Sequence, residues 1–143
     1  MRRELQNLFN RTFYVVEHNR EQNIIDTLWY GYASKNDLKK ACSVGLELLE
    51  EVKCPYKLND NSQFTGPWSD AITWLEEEWL PRAMKAGVKY LAHVASSNSF
   101  GEHAGEVMQI SKIGQNLEVC IFDNRDKALE WLRSCQQKHH ALN

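Results

Sequence analysis

The sequence predicts an α/β domain built on a five-stranded, mixed, mostly parallel sheet. Three observations predict it. Runs of β-branched and aromatic residues of strand length recur along the chain. From Ser34 onward they alternate strictly with amphipathic helical patterns, the order that makes parallel crossovers. The first two strand runs are separated only by His18-Asn19-Arg20-Glu21-Gln22, too short for a crossover, so the first strand is antiparallel.

Thr12-Phe13-Tyr14-Val15-Val16-Glu17 is the first predicted strand, and Asn23 to Tyr30 the second. Gly31 ends it. Ser34 suits an N-cap, because Asp37 follows three residues on. Leu38, Ala41, Cys42, Gly45, Leu46, Leu49 and Val52 recur at helical spacing. Gly45 lies on that apolar stripe, which points to a close neighbour rather than a break. Tyr56-Lys57-Leu58-Asn59 follows Pro55 as a third strand, and residues 60–67 read as a turn. A second helix is expected from Trp68 to Lys85, with Gly87 after its last turn and a bend near Glu77 caused by Pro81. Lys89 to Ala95 is the fourth strand. Phe100 to Ile113 is a helix whose limits Gly101 and Gly105 blur. Leu117 to Phe122 is the fifth strand, and Asp126 to Cys135 the last helix. The order is β-β-α-β-α-β-α-β-α. Residues 1–11 are expected to be an extension, 12–135 a single domain and 136–143 a frayed tail.

Composition excludes several classes. At 143 residues, 43% of them hydrophobic, the chain is large enough for one core without a metal or disulfide staple. A net charge of −2, from 17 basic and 19 acidic side chains, is not that of an electrostatic nucleic-acid binder. No apolar run reaches the ~18–20 residues of a membrane span. Met1-Arg2-Arg3 is basic, but no apolar stretch follows it, so a cytoplasmic location is expected. The cysteines, Cys42, Cys54, Cys120 and Cys135, have no zinc-ligand spacing and read as reduced core thiols, with Cys54 the most exposed. No Gly-x-Ser-x-Gly elbow, phosphate loop or Gly-x-Gly-x-x-Gly occurs. No cofactor and no metal site are expected.

Four features carry a family resemblance: the element order; Leu58-Asn59-Asp60-Asn61 after the third strand; Glu77-Glu78-Trp79-Leu80-Pro81-Arg82-Ala83 before a strand at Tyr90; and Phe122-Asp123-Asn124-Arg125 leading into Asp126-Lys127-Ala128-Leu129. On these, residues 12–135 resemble the SpoIIAA-like STAS domains, which include bacterial anti-sigma-factor antagonists, and more narrowly the small bacterial STAS/SEC14-like proteins. The resemblance implies a non-catalytic module that docks on a protein partner. It also implies a phosphorylated serine at the start of the helix after the third strand, for which Ser62, Thr65 and Ser69 are the positional counterparts. In place of the family's Asp-Ser-Ser/Thr-Gly signature, this chain carries Asn61-Ser62-Gln63-Phe64-Thr65-Gly66.

Ligands of open α/β sheets gather at the carboxyl ends of the strands. That rim holds Tyr32, Asp60, Asn61, Ser97, Asn98, Asp123 and Arg125. Asp60 and Asp123 suit turn-capping or a carboxylate pair, and His93 suits a sheet-face histidine or a base. Together the three define the enzyme alternative. Trp68, Trp74 and Trp79 crowd one helix, and Trp74 falls off the common stripe. It is a candidate for covering an apolar, lipid-like ligand beside Pro81, or for anchoring a partner. Both faces of the strands read as apolar, so the face left bare by the crossovers needs cover from residues 1–10 or from a second subunit in a homodimer.

Overall fold

The computed structural model describes residues 1–96 and 99–142. It is an α/β domain with a six-stranded mixed sheet in sequential order. The strands are β1 (Arg2–Gln6), β2 (Thr12–Asn19), β3 (Ile24–Gly31), β4 (Tyr56–Phe64), β5 (Tyr90–Val94) and β6 (Glu118–Phe122). β1, β2 and β3 pair antiparallel, and β3 to β6 pair parallel. The sheet therefore has six strands where the sequence predicts five. The extra one, β1, comes from the segment expected to be an extension. Its Arg-Arg-Glu-Leu-Gln sequence has one apolar residue and no strand signature. Charged edge strands of this kind resist pairing with other chains. Arg3 and Leu5 nonetheless alternate onto the face of the first helix, where Arg3 pairs with Glu47 at 3.2 Å and Glu51 at 3.0 Å.

Sequential parallel strands joined by right-handed crossovers put every crossover on one side. That side carries α1 (Lys35–Val52), a helical run from Ser69 to Lys85, and the pair α4 (Ser99–Ile110) and α5 (Lys112–Asn116). α6 (Arg125–Leu142) packs on the opposite face, against β4, β5 and β6. Tyr56, Tyr90 and Phe122 line that face, with Trp131 of α6 stacked edgewise on Tyr90 at 6.3 Å. So α6 covers β4, β5 and β6 on that face, and residues 2–6, expected as candidate cover, extend the sheet as β1 instead. The helix expected to fray after Cys135 continues to Leu142.

Local chemistry accounts for the remaining boundaries. The Ser34 hydroxyl accepts from the Asp37 amide at 3.1 Å and starts α1, as predicted. Residues 60–64 are not a turn but the end of β4. The Asp60 carboxylate accepts from the Ser62 amide at 2.9 Å, and the pairing with β3 slips between Leu28 and Tyr30. Turn chemistry here builds a β-bulge. The bulge changes the alternation, so Phe64 shares a face with Lys57, Asn59 and Asn61. The second helix is one run of four pieces: a 3₁₀ turn (Ser69–Ala71), α2 (Ile72–Trp74), a π turn (Leu75–Trp79) and α3 (Leu80–Lys85). The bend expected from Pro81 takes the form of that π turn, in which the Leu80 amide reaches back to the Leu75 carbonyl. Pro81 cannot donate to the turn below it, and the wider turn absorbs the defect. Cys54, expected to be the most exposed thiol, is buried beneath the Asn23 carbonyl.

A candidate binding cavity under the crossover helices

β4 is a central strand of a parallel sheet, a place usually filled by aliphatic residues. Here it carries Lys57, Asn59, Asp60 and Asn61. Alternation sends Lys57, Asn59 and Asn61 toward the crossover helices and Asp60 toward α6. Beneath those helices lies a cavity of about 70 Å³. One water needs roughly 10–15 Å³ in this measure, so the space suits a molecule of a handful of heavy atoms. Trp29, Trp68, Trp79, Leu75, Leu91 and Met108 form its apolar wall. Tyr14, Thr27, Cys42, Lys57, Asn59 and Asn61 form its polar end. No carboxylate lines it among the described residues.

Lys57 is 7% exposed, and its ammonium donates to the Thr27 hydroxyl at 2.6 Å. It has no carboxylate partner among the described residues. Burial pulls its pKa down from 10.5 to about 8, with the nearby Asp26 acting against the shift. Cys42, on α1, is pushed up by burial to about 12, so it is a neutral thiol at pH 7 and supplies no counter-charge. Burial also raises the Tyr14 phenol, with the neighbouring Thr27 hydroxyl acting against the shift. The Tyr14 hydroxyl reaches into this corner because α1 has Gly45 there: a Cβ at 45 would fall well inside van der Waals contact with it.

A second chain of hydrogen bonds fixes a tautomer. The Trp29 indole can only donate, and it donates to Asn59 Oδ1 at 2.9 Å. The Asn59 Nδ2 group therefore donates to His93 Nδ1 at 3.0 Å and to Asn61 Oδ1 at 3.2 Å. His93 Nδ1 is then an acceptor, and the proton sits on Nε2. That Nε2–H has no partner among the described residues, nor has the buried Trp68 Nε1–H. The two rings lie 5.4 Å apart, with His93 against Gly105 of α4. Burial lowers His93 to about 4, so it is neutral at pH 7. The cavity region thus combines a cation lacking a counter-charge with two buried N–H groups lacking acceptors. Its polar excess is entirely one of donors.

The opposite face of the sheet holds its buried carboxylates in an ion cluster. Arg125, at the start of α6, pairs with Asp26 of β3 and, at 3.2 Å, with Asp60 of β4. Asp60 also accepts from the Ser62 hydroxyl at 2.6 Å. Asp26 Oδ1 and the buried Tyr56 hydroxyl on this face are left without partners among the described residues. Asp60, Asp123 and His93 are not brought together. Asp60 and His93 leave the sheet on opposite faces, and Asp123 is exposed and pairs with Lys127 at 3.1 Å. Trp74 does not cover the cavity; it is half-buried, with the Lys39 ammonium 5.8 Å above its ring. Ser62 and Thr65 are exposed near the end of β4, and Ser69 opens the 3₁₀ turn. Tyr32 is 63% exposed beside Gly66. Ser97 and Asn98 lie outside the described residues. Of the predicted rim, then, Asn61 joins the cavity and Asp60 and Arg125 join the ion cluster.

A larger depression, about 180 Å³, lies between Gln22, Leu129 and Gln136 on the α6 side, but no buried polar atom there lacks a partner among the described residues. Comparison with known proteins returns no match: no family model, no curated protein and no solved structure is significantly similar to this chain.

Proposed function

We propose that this chain is a small-molecule-binding protein whose cavity takes a compact ligand bearing an oxyanion or carbonyl oxygen on an apolar stub. The observation that carries this reading is Lys57, a buried ammonium in a cavity with only a hydroxyl as partner. A buried charge of that kind is costly until something of opposite sign reaches it. A ligand oxygen supplies the missing acceptor, and the tryptophan wall takes the apolar part. Short carboxylates from formate to butyrate are the direct probes. They should raise the thermal midpoint and perturb fluorescence from Trp29, Trp68 and Trp79, whereas alcohols of equal length should not. The effect should vanish in Lys57→Met. Equal shifts in Lys57→Met, or none with any carboxylate, would remove the reading.

A protein-docking module of the SpoIIAA-like STAS type, self-associating or bound to a partner, is the second reading. It is supported by the element order from Thr12 onward and by Leu8 and Phe9, 98% and 82% exposed, at the same end of the sheet as Tyr32. Light scattering of the chain beside Phe9→Ser tests the self-associating form: a dimer lost in the variant supports it, and a monomer in both counts against it.

A further inference from the structure

We propose that Lys57 captures small 2-oxo acids as a reversible imine inside this cavity. The inference rests on the reading that the cavity takes an acceptor ligand, and it names both the ligand class and the bond formed. Imine formation needs an amine held beside a space of the right size, a proton donor for the departing water and little competing solvent. The geometry offers each. The Lys57 amine is aimed by Thr27 at 2.6 Å, next to a cavity of about 70 Å³, room for a three- or four-carbon acid and little more. The Tyr14 hydroxyl lines the same cavity beside Gly45, and burial keeps it protonated. Tryptophan and aliphatic side chains make up the rest of the wall.

The step balances. The lysine, in its neutral form, attacks the ketone or aldehyde carbon; the carbonyl oxygen leaves as water with the two amine hydrogens, and one C=N bond replaces one C=O bond. Starting from the ammonium and the carboxylate anion, the products are a protonated imine with its own carboxylate, plus water, so charge is conserved. The iminium keeps one N–H for Thr27. The ligand's carboxylate becomes the counter-charge that the empty cavity lacks. This explains why an acid should be preferred over a plain aldehyde. Burial brings Lys57 to about 8, so roughly a tenth of the amine is neutral at pH 7. Cys42, the other nucleophile at this end, is held as a thiol and competes poorly. Asp26 and Asp60 lie across the sheet, clamped by Arg125, and no carboxylate base reaches the adduct among the described residues. Capture therefore ends at the imine, as suits a carrier or sensor.

The test is reductive trapping. The full chain is incubated with pyruvate or glyoxylate and cyanoborohydride, then analysed by intact mass and peptide mapping. One adduct should form on Lys57, at least tenfold above any other lysine. Acetate should slow it, and Lys57→Met should abolish it. Lys57→Arg keeps the charge but cannot form an imine; it should still show the acetate-induced rise in thermal midpoint while losing the adduct. Adducts spread evenly over surface lysines would overturn the proposal. If acetate stabilises the native chain but no adduct forms at Lys57, the imine is refuted and the binding reading stands. If acetate has no effect and no adduct forms, both fall.

Discussion

Alternate residues of β4 bury charge in two opposite ways. Asp60 looks toward α6 and shares Arg125 with Asp26, so two carboxylates meet a guanidinium. Lys57, three residues earlier and on the other face, meets a hydroxyl and a cavity. The first arrangement is met by a cation of the protein itself, which ties the start of α6 to the sheet. The second is left open on the acceptor side, which is the ground on which the binding site is proposed there. Burial alone does not mark a site; burial with an unanswered charge and space beside it does.

The largest expected effect concerns the open side. Lys57 titrates near 8 in the fold and near 10.5 when unfolded, so between these values the unfolded chain binds the extra proton. Stability contributed through Lys57 therefore rises with pH across that window, by about 3 kcal/mol in all. The raised Cys42 opposes this above pH 9, where the unfolded thiol ionises first. The difference between native and Lys57→Met urea denaturation curves isolates the lysine. A difference that stays flat from pH 8 to 10 would mean that Lys57 is not desolvated.

The closed side should respond to truncation. Arg125→Ala leaves Asp26 and Asp60 buried without their cation and should cost about 2–3 kcal/mol; the guanidinium is 36% exposed, which holds the loss below the full range for a buried pair. Adding Asp26→Asn and Asp60→Asn to Arg125→Ala should recover most of it. Failure of the triple variant to recover would show that Arg125 acts through packing. Carboxylate binding in the cavity should be unchanged in Arg125→Ala, which separates the two faces directly.

A smaller effect is expected at Gly45→Ala. The added methyl collides with the Tyr14 hydroxyl, an overpacking cost partly offset by better helix propensity, leaving a net loss of about 1–2 kcal/mol in chemical denaturation. Tyr14→Phe in the same chain should restore it. If Gly45→Ala is neutral, the corner is looser than the contact implies.

Much of the fold was legible because periodicity is written locally. Ser34, the α1 stripe and the alternation from β3 onward needed no tertiary knowledge. β1 was not legible, since Arg2 to Gln6 becomes a strand only because β2 has a free edge to receive it. The 60–64 segment misled because Asp and Ser make the same local hydrogen bond in a turn and in a bulge. The site was less legible still. Asp60 and Arg125 fall on the rim by sequence alone, but their partner Asp26 does not, since nothing in sequence links positions so far apart. Lys57 did leave a signal: a lysine in a strand predicted to lie inside a parallel sheet is an anomaly. Thr27, Tyr14 and Cys42 left none, because a threonine, a tyrosine and a core thiol suit ordinary packing equally well.

The most direct test is the titration of the Lys57 side chain itself, followed by NMR of ¹³Cε-labelled lysine with Lys57→Arg assigning the signal. A midpoint near 8 that climbs when acetate is added is the result an unanswered ammonium requires, because an incoming anion favours the charged form. A midpoint in the ordinary lysine range, indifferent to acetate, would contradict it.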